Sequence, residues 1–296
     1  MTELVQLVAN GAVEGSILAL AALGVTLIYG LLRIANFAYG EYMTLGAYVA
    51  YIANVTFGLS IALAALAAAV AIALYSVALE YVFWRPLRRR QVPFVGLFLA
   101  SLGLALVMRY GIFLWQGPAP RTVTVDRFSV DEFAGIRLAR TSTIAIVVAI
   151  VAITVVSVLL TRTLMGKATR ALADSPTLTS VSGVNPDRVI LVAWIVAGAA
   201  AGLAGVLESL VLSAFTPDLG SVLILPIFAA VILGGIGSPF GALVAGFVVG
   251  IAAAVSTWDG FAGGVDPAYK PVVVFALLIA VLIVRPNGIL GRARLA

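Results

Sequence analysis

The chain has 296 residues, of which 62% are hydrophobic and 10% charged, with a formal net charge of +5 and a mean hydropathy of +1.15. Soluble domains carry about 25% charged residues, so these values exclude a soluble globular protein and an intrinsically disordered one. Cys and His are both absent; this removes disulfides, thiolate metal sites, Cys nucleophiles and the commonest general base, and with them most enzyme classes.

About 20 helical residues cross a hydrocarbon core roughly 30 Å thick. Apolar segments of that character run at about 4–32, 37–57, 59–84, 93–115, 141–161, 189–213, 222–236, 241–257 and 269–285. The expected fold class is therefore an all-α polytopic membrane protein. It is a helical bundle of about 8–9 membrane segments, some broken or short, forming one transmembrane domain over 1–296. No basic n-region or cleavage site precedes the first segment, so it is expected to be retained. It carries Gln6, Asn10 and Glu14 at four-residue spacing, on one helix face. That face reads either as the polar lining of a solute route or as interhelical hydrogen bonding, worth about 0.6 kcal/mol per pair.

The stretch Tyr29–Glu41 packs Arg33, Asn36 and Glu41 between two apolar segments with almost no loop. Buried charges must find partners, so this stretch is expected inside protein; the alternative is a tight cytoplasmic turn with a solvated Arg33. Trp84, Trp115 and Trp258 fall at segment ends, where interfacial aromatic anchors sit. Glu80 and Glu208 read as structural acids near segment ends. Arg-Pro ends two apolar spans, at 85–86 and 285–286. The pair marks either a weak internal repeat or ordinary helix-stop chemistry.

Two loops exceed simple connectors. The one at 116–140 begins with Pro118 and Pro120 and then alternates as TVTV at 122–125, the pattern of a short hairpin. The one at 162–188 predicts a short helix over 166–182, with Pro176 as a start or break, Gly183 as a C-terminal cap and Asn185-Pro186 as a turn. Small residues recur at four-residue spacing in Gly11/Gly15, Gly198/Gly202, Gly237/Gly241 and Gly246/Gly250, which predicts close helix packing. Gly234-Gly235-Ile236-Gly237-Ser238-Pro239 should interrupt a helix. It forms either a plain turn or a pair of half-helix ends whose free backbone groups meet a solute.

Basic residues cluster at Arg85, Arg88, Arg89 and Arg90, at Arg162, Lys167, Arg170 and Arg188, and at Arg285, Arg292 and Arg294, with Arg33 alone. The positive-inside rule then puts these loops in the cytoplasm, the N-terminus outside and the C-terminus inside. The other side keeps Arg121, Arg127, Arg137, Arg140 and Lys270, together with Asp126; Arg109 lies within a span. No phosphate-binding loop is present: Gly166-Lys167 is followed by Ala168 rather than Ser or Thr. Any ATP that drives the protein is bound by another chain. A secondary transporter would need an ion site, for which Glu14 or Glu41 could serve, and an integral membrane enzyme lacks an evident catalytic set.

The sequence resembles the permease subunits of ABC importers for branched-chain amino acids, the LivH type, which also includes urea and short-amide permeases. The matching pieces are LGVTLIYGLLRIANFAYGEYMTLGAY at 23–48, GKATRALADSPTLTSVSGVNPDRV at 166–189, AGLAGVL at 201–207, FAAVILGGIGSPFGALVAGFVVG at 228–250 and VRPNGILG at 284–291. Tyr39 departs from the pattern, since many relatives carry His there. The resemblance implies a prokaryotic cytoplasmic-membrane importer with two ATP-binding cassette subunits, a second permease subunit (identical or related), an extracytoplasmic solute-binding protein and a surrounding bilayer. It implies no nucleic acid partner, no metal, no catalytic residue and no cofactor on this chain, with ATP on the partner subunits. It also implies that Ala171, Asp174 and Gly183 belong to the helix that couples to the ATPase. Asn36 and Glu41 would then lie near the translocation path, and the polar Asn10 and Glu14 and the breaks at Gly234 and Gly235 are further candidates for lining it.

Overall fold

In a computed structural model, residues 2–125, 129–133, 135–260, 265–285 and 287–290 are described. Asp126, Arg127, Arg292 and Arg294 lie outside the described residues. Among the described residues the architecture is all-α apart from one small hairpin, and this is a multi-pass membrane protein. Six of the described helices are long and apolar enough to cross a membrane, and two shorter apolar helices accompany them.

From Gly15 onward helix α1 (Thr2–Leu32) carries no charged residue and is buried on nearly all sides, the pattern of a helix enclosed by others. Its neighbour α11 (Pro239–Val255) lies antiparallel to it. Gly11 and Gly15 press on the backbone of Ile251, Gly250 and Phe247, and Gly246 presses on Ala19. Similarly, α9 (Pro186–Val211) meets α3 (Ile61–Leu79) through Gly198 on Ser76 and Gly202 on Ala68. Three of the four small-residue pairs thus mark close helix packing, where small residues let backbones approach. The fourth does not: Gly237 has φ +84° and sits in the turn before α11.

Helix α2 (Tyr39–Tyr51) runs on through a π-turn at Ile52–Thr56. Helix α3 also passes through a π-turn, Glu80–Trp84, into α4 (Arg85–Arg89). Pro86 has no N–H and would disrupt a regular α-helix. In the widened turn the Arg85 N–H donates to the Glu80 carbonyl, five residues back, and the chain stays helical to Arg89. Arg85-Pro86 is therefore not a helix stop. For the same reason Trp84 is not an interfacial anchor: it is fully buried and stacks on Trp194, with ring centroids 5.9 Å apart. Trp115 is exposed at its helix end.

Helix α5 (Phe94–Gln116) follows, and α6 (Arg140–Arg162) comes after the hairpin. The hairpin pairs β1 (Val130–Phe133) with β2 (Ile136–Ala139), in register Val130 to Ala139, and Gly135 supplies a positive φ between them. It lies downstream of the expected TVTV, whose region is held differently. Arg121 and Phe215 exchange backbone hydrogen bonds of 2.8 and 2.9 Å, and the Thr124 N–H donates to the Asn54 side chain at 2.7 Å.

The 162–188 loop folds as two helices rather than one, α7 (Leu164–Asp174) and α8 (Pro176–Val181). Ser175 adopts an extended backbone, caps the second helix through the Leu178 N–H, and is followed by Pro176 at its first position, where a missing N–H costs nothing. Helices α10 (Leu219–Gly234) and α12 (Lys270–Val284) complete the bundle. After α12 the chain turns back on α10. The Ile289 and Leu290 N–H groups donate to the Leu233 and Gly234 carbonyls at 2.8 and 3.2 Å.

The bundle has two ends. One carries the hairpin, the start of α1 and the start of α12; Gln6 clamps β2 by accepting from the Arg137 N–H (2.9 Å) and donating to its carbonyl (2.6 Å). The other carries the end of α1, where Gly30 faces Gly237, together with α4, α7 and α8.

Candidate functional site

Between α1 and α2 the backbone is not helical. Arg33 takes φ +55° and is exposed, while Ile34, Ala35 and Asn36 are buried. Most of this stretch thus lies inside protein, with Arg33 alone at the surface. An unwound backbone in a membrane bundle must have its polar groups satisfied by protein. Ser101 of α5 does this twice: its hydroxyl donates to the Ala35 carbonyl (3.0 Å) and accepts from the Phe37 N–H (3.3 Å). The Asn36 side-chain oxygen accepts from the Ala38 N–H (3.1 Å), and its backbone carbonyl accepts from the Tyr39 N–H (3.2 Å). Phe37 is fixed from both sides, stacked on Phe228 of α10 at 4.5 Å and edge-on to Phe98 of α5 at 5.2 Å. Tyr39 donates to the Ala197 carbonyl of α9 at 2.9 Å.

Ser101 was not singled out in the sequence, because one Ser within an apolar helix carries no pattern. Ser101→Ala is expected to leave the Ala35 carbonyl and Phe37 N–H unpaired, lowering stability by about 1–3 kcal/mol. Thermal unfolding of the detergent-extracted protein, compared with Ser157→Ala on α6, reads that difference.

Beyond the break, α2 presents Glu41, Thr44 and Tyr48 along one face. Glu41 is 2% exposed and accepts from the Thr44 hydroxyl at 3.3 Å. Thr44 in turn accepts from the Gly220 N–H at the start of α10 (2.9 Å). Arg109 of α5 forms an ion pair with Asp218, the residue before α10, and Glu41 lies within electrostatic reach of both.

The other expected site residues fall into separate groups. Glu14 pairs with Lys270 at 3.3 Å, with Glu208 within reach of both charges. Asn10 is exposed and accepts from Gln6 at 3.2 Å. These contacts tie Gln6 to β2 and Glu14 to the start of α12. Gly234 packs on the Gly241 backbone and Gly235 takes φ +99°. The C-terminal strap occupies the Leu233 and Gly234 carbonyls, so the half-helix end does not offer them to a solute. Glu80 is buried and ion-paired to Arg88. A cleft of about 300 Å³ beside Asn54, Thr124 and Arg140 shares no lining residue with the Glu41 group.

On the 162–188 loop, Ala171, Asp174 and Gly183 are all exposed, whereas Gly166, Leu172 and Thr179 are buried. Gly183 takes φ +82°, and the Gly183 and Val184 N–H groups donate to Ser180 and Thr179. This doubly bonded glycine ending is the Schellman arrangement. Leu178 and Val181 project outward, 69% and 83% exposed.

The arrangement has the parts of a solute carrier: a membrane bundle with an internal break, a polar group at the break, and a structured loop outside the spans. Residues 7–282 match the family model described as branched-chain amino acid transport system / permease component. The chain belongs to this family. It is 30% identical to the high-affinity branched-chain amino acid transport system permease protein BraD of Pseudomonas aeruginosa, covering 97% of this chain and 95% of BraD. Identity to LivH of Escherichia coli K12 is 32%, over 96% of this chain and 94% of LivH. A branched-chain amino acid transport permease protein LivH of Methanocaldococcus jannaschii is 30% identical over 97% and 92%. No solved structure matches the chain. Within the family, this chain combines an unwound segment held by Ser101 with an exposed two-helix loop.

Proposed function

We propose that this chain is the membrane-spanning permease subunit of an ATP-driven ABC importer for branched-chain amino acids in a prokaryotic cytoplasmic membrane. The family and its named relatives support the solute class. The observation that carries the coupling is the α7–α8 loop. It lies on the end rich in Arg, it is structured and capped, and it leaves Leu178 and Val181 largely exposed among the described residues. Exposed apolar residues on a rigid loop fit a docking surface, here for an ATPase subunit, with Ala171, Asp174 and Gly183 on its open face. The Arg-rich end is then cytoplasmic, the N-terminus outside and the C-terminus inside. Two ATPases, a second permease and an extracytoplasmic binding protein complete the machine.

Transport proceeds by alternating access. ATP binding on the partner shifts the loop only insofar as the ATPase binds the two permease states with different affinity. Asn36 and Glu41 border the route near mid-bundle, Asn10 and Glu14 stand at its outer end, and Gly234 and Gly235 let the inner turn bend.

Val181→Asp tests the coupling. The residue is exposed, so stability should change by no more than about 0.5 kcal/mol. Recovery of ATPase subunits with the extracted permease should fall several-fold, and ATP-driven uptake with it. Unchanged recovery and uptake would remove the loop from the coupling role. Uptake in vesicles without ATP would instead support an ion-coupled carrier.

A further inference from the structure

Arg109 is the cation placed deepest in α5, about 10 Å along the axis from the helix end at Gln116. A charge at that depth faces protein or water, since hydrocarbon disfavours it by several kcal/mol. Its partner Asp218 is on a different element, and the pair is not sealed: 33% of the Arg109 side chain and 37% of the Asp218 side chain remain open. Arg109 Nε is buried without a hydrogen-bond partner, and so is the hydroxyl of the fully buried Tyr48. Tyr48 is within electrostatic reach of Asp218. Glu41 lies on the same α2 face, two turns from Tyr48 and towards the helical break.

Opposite charges, spare donors and a partly exposed ion pair thus converge where α2, α5 and the start of α10 meet. We propose that the Arg109–Asp218 ion pair is a gate read by a zwitterionic solute. In the closed state the two side chains neutralise each other. A passing amino acid exchanges that pair for two new ones: its carboxylate takes the Arg109 fork, a geometry guanidinium suits in two-point fashion. Its ammonium takes Asp218 and is then handed along the α2 face towards Glu41. A solute carrying only one charge would leave the other gate residue unpaired at membrane depth, which selects for both charges together. This inference rests on the permease reading.

The test uses the complete importer in vesicles with its ATPases and binding protein, comparing wild type, Arg109→Gln and the double variant Arg109→Gln/Asp218→Asn. Assembly is read by co-purification of the ATPase subunits, and transport by uptake of radiolabelled leucine. Arg109→Gln should reduce uptake about tenfold or more. The double variant removes both members of the ion pair together, so it should assemble at wild-type level and still fail to transport. If the double variant transports within twofold of wild type, the pair is only a structural bridge and the gate is overturned. If it fails to assemble, the pair belongs to packing, which overturns the gate equally. Absence of leucine uptake by the wild-type assembly would instead count against the permease reading itself.

Discussion

Gly220→Val is expected to abolish accumulation of folded protein. Gly220 and Gly40 meet backbone to backbone where α10 crosses α2, and a Cβ on either would lie well inside contact distance of the other's carbonyl. No flexible side chain can yield there. The Thr44 hydroxyl also receives the Gly220 N–H, so moving α10 aside breaks a bond beside Glu41. Overpacking of this kind costs about 3 kcal/mol or more when backbone must shift. Gly103→Val is the matched control, because a Cβ at Gly103 meets nothing within 4 Å; it should unfold within about 0.5 kcal/mol of the parent. Membrane abundance and thermal aggregation after detergent extraction separate the two. Equal behaviour would mean that the α2–α10 contact is not rigid.

The second large effect is expected at Arg88. Its guanidinium pairs with Glu80, whose side chain is 3% exposed, beside the Trp84–Trp194 stack. Arg88→Met leaves a carboxylate buried without its cation, a loss of about 3–5 kcal/mol. Adding Glu80→Gln removes the stranded charge and should recover most of that loss. A double variant no more stable than Arg88→Met would show that Arg88 acts through its contacts to other groups. Pro86 forces the helix to widen, and the widened turn lies within the segment that joins Glu80 to Arg88.

Much of this was legible in the sequence. Apolar length located the spans, because the hydrocarbon thickness sets helix length. The glycine pairs at 11/15, 198/202 and 246/250 announced close packing, Gly183 announced the loop's C-terminal cap, and Asn185-Pro186, read as a turn, proves to be the start of α9. The break at 33–38 followed from polar residues crowded where no loop had room. What stayed hidden depends on partners distant in sequence. TVTV has the alternation of a strand, but its neighbours on the chain do not reveal that Phe215 pairs with Arg121 just before it or that Asn54 takes the Thr124 N–H. Trp84 resembles an anchor until the π-turn carries the helix past it. Arg109 was visible as a charge inside a span, but its pairing with Asp218, and the partial exposure of that pair, required the fold. Ser101 gave no signal at all, since one hydroxyl in an apolar helix looks like any other.

The strap formed by residues 287–290 bears on how the protein is made. A helix ending at Gly234 leaves its last carbonyls without partners, and here two of them are closed by residues that leave the ribosome only after α11 and α12 have been synthesised. Until then the Leu233 and Gly234 carbonyls at the inner turn of α10 and α11 lack these partners. Insertion of this half of the molecule is therefore sealed late, by the arrival of its final described segment rather than by the pairing of successive helices.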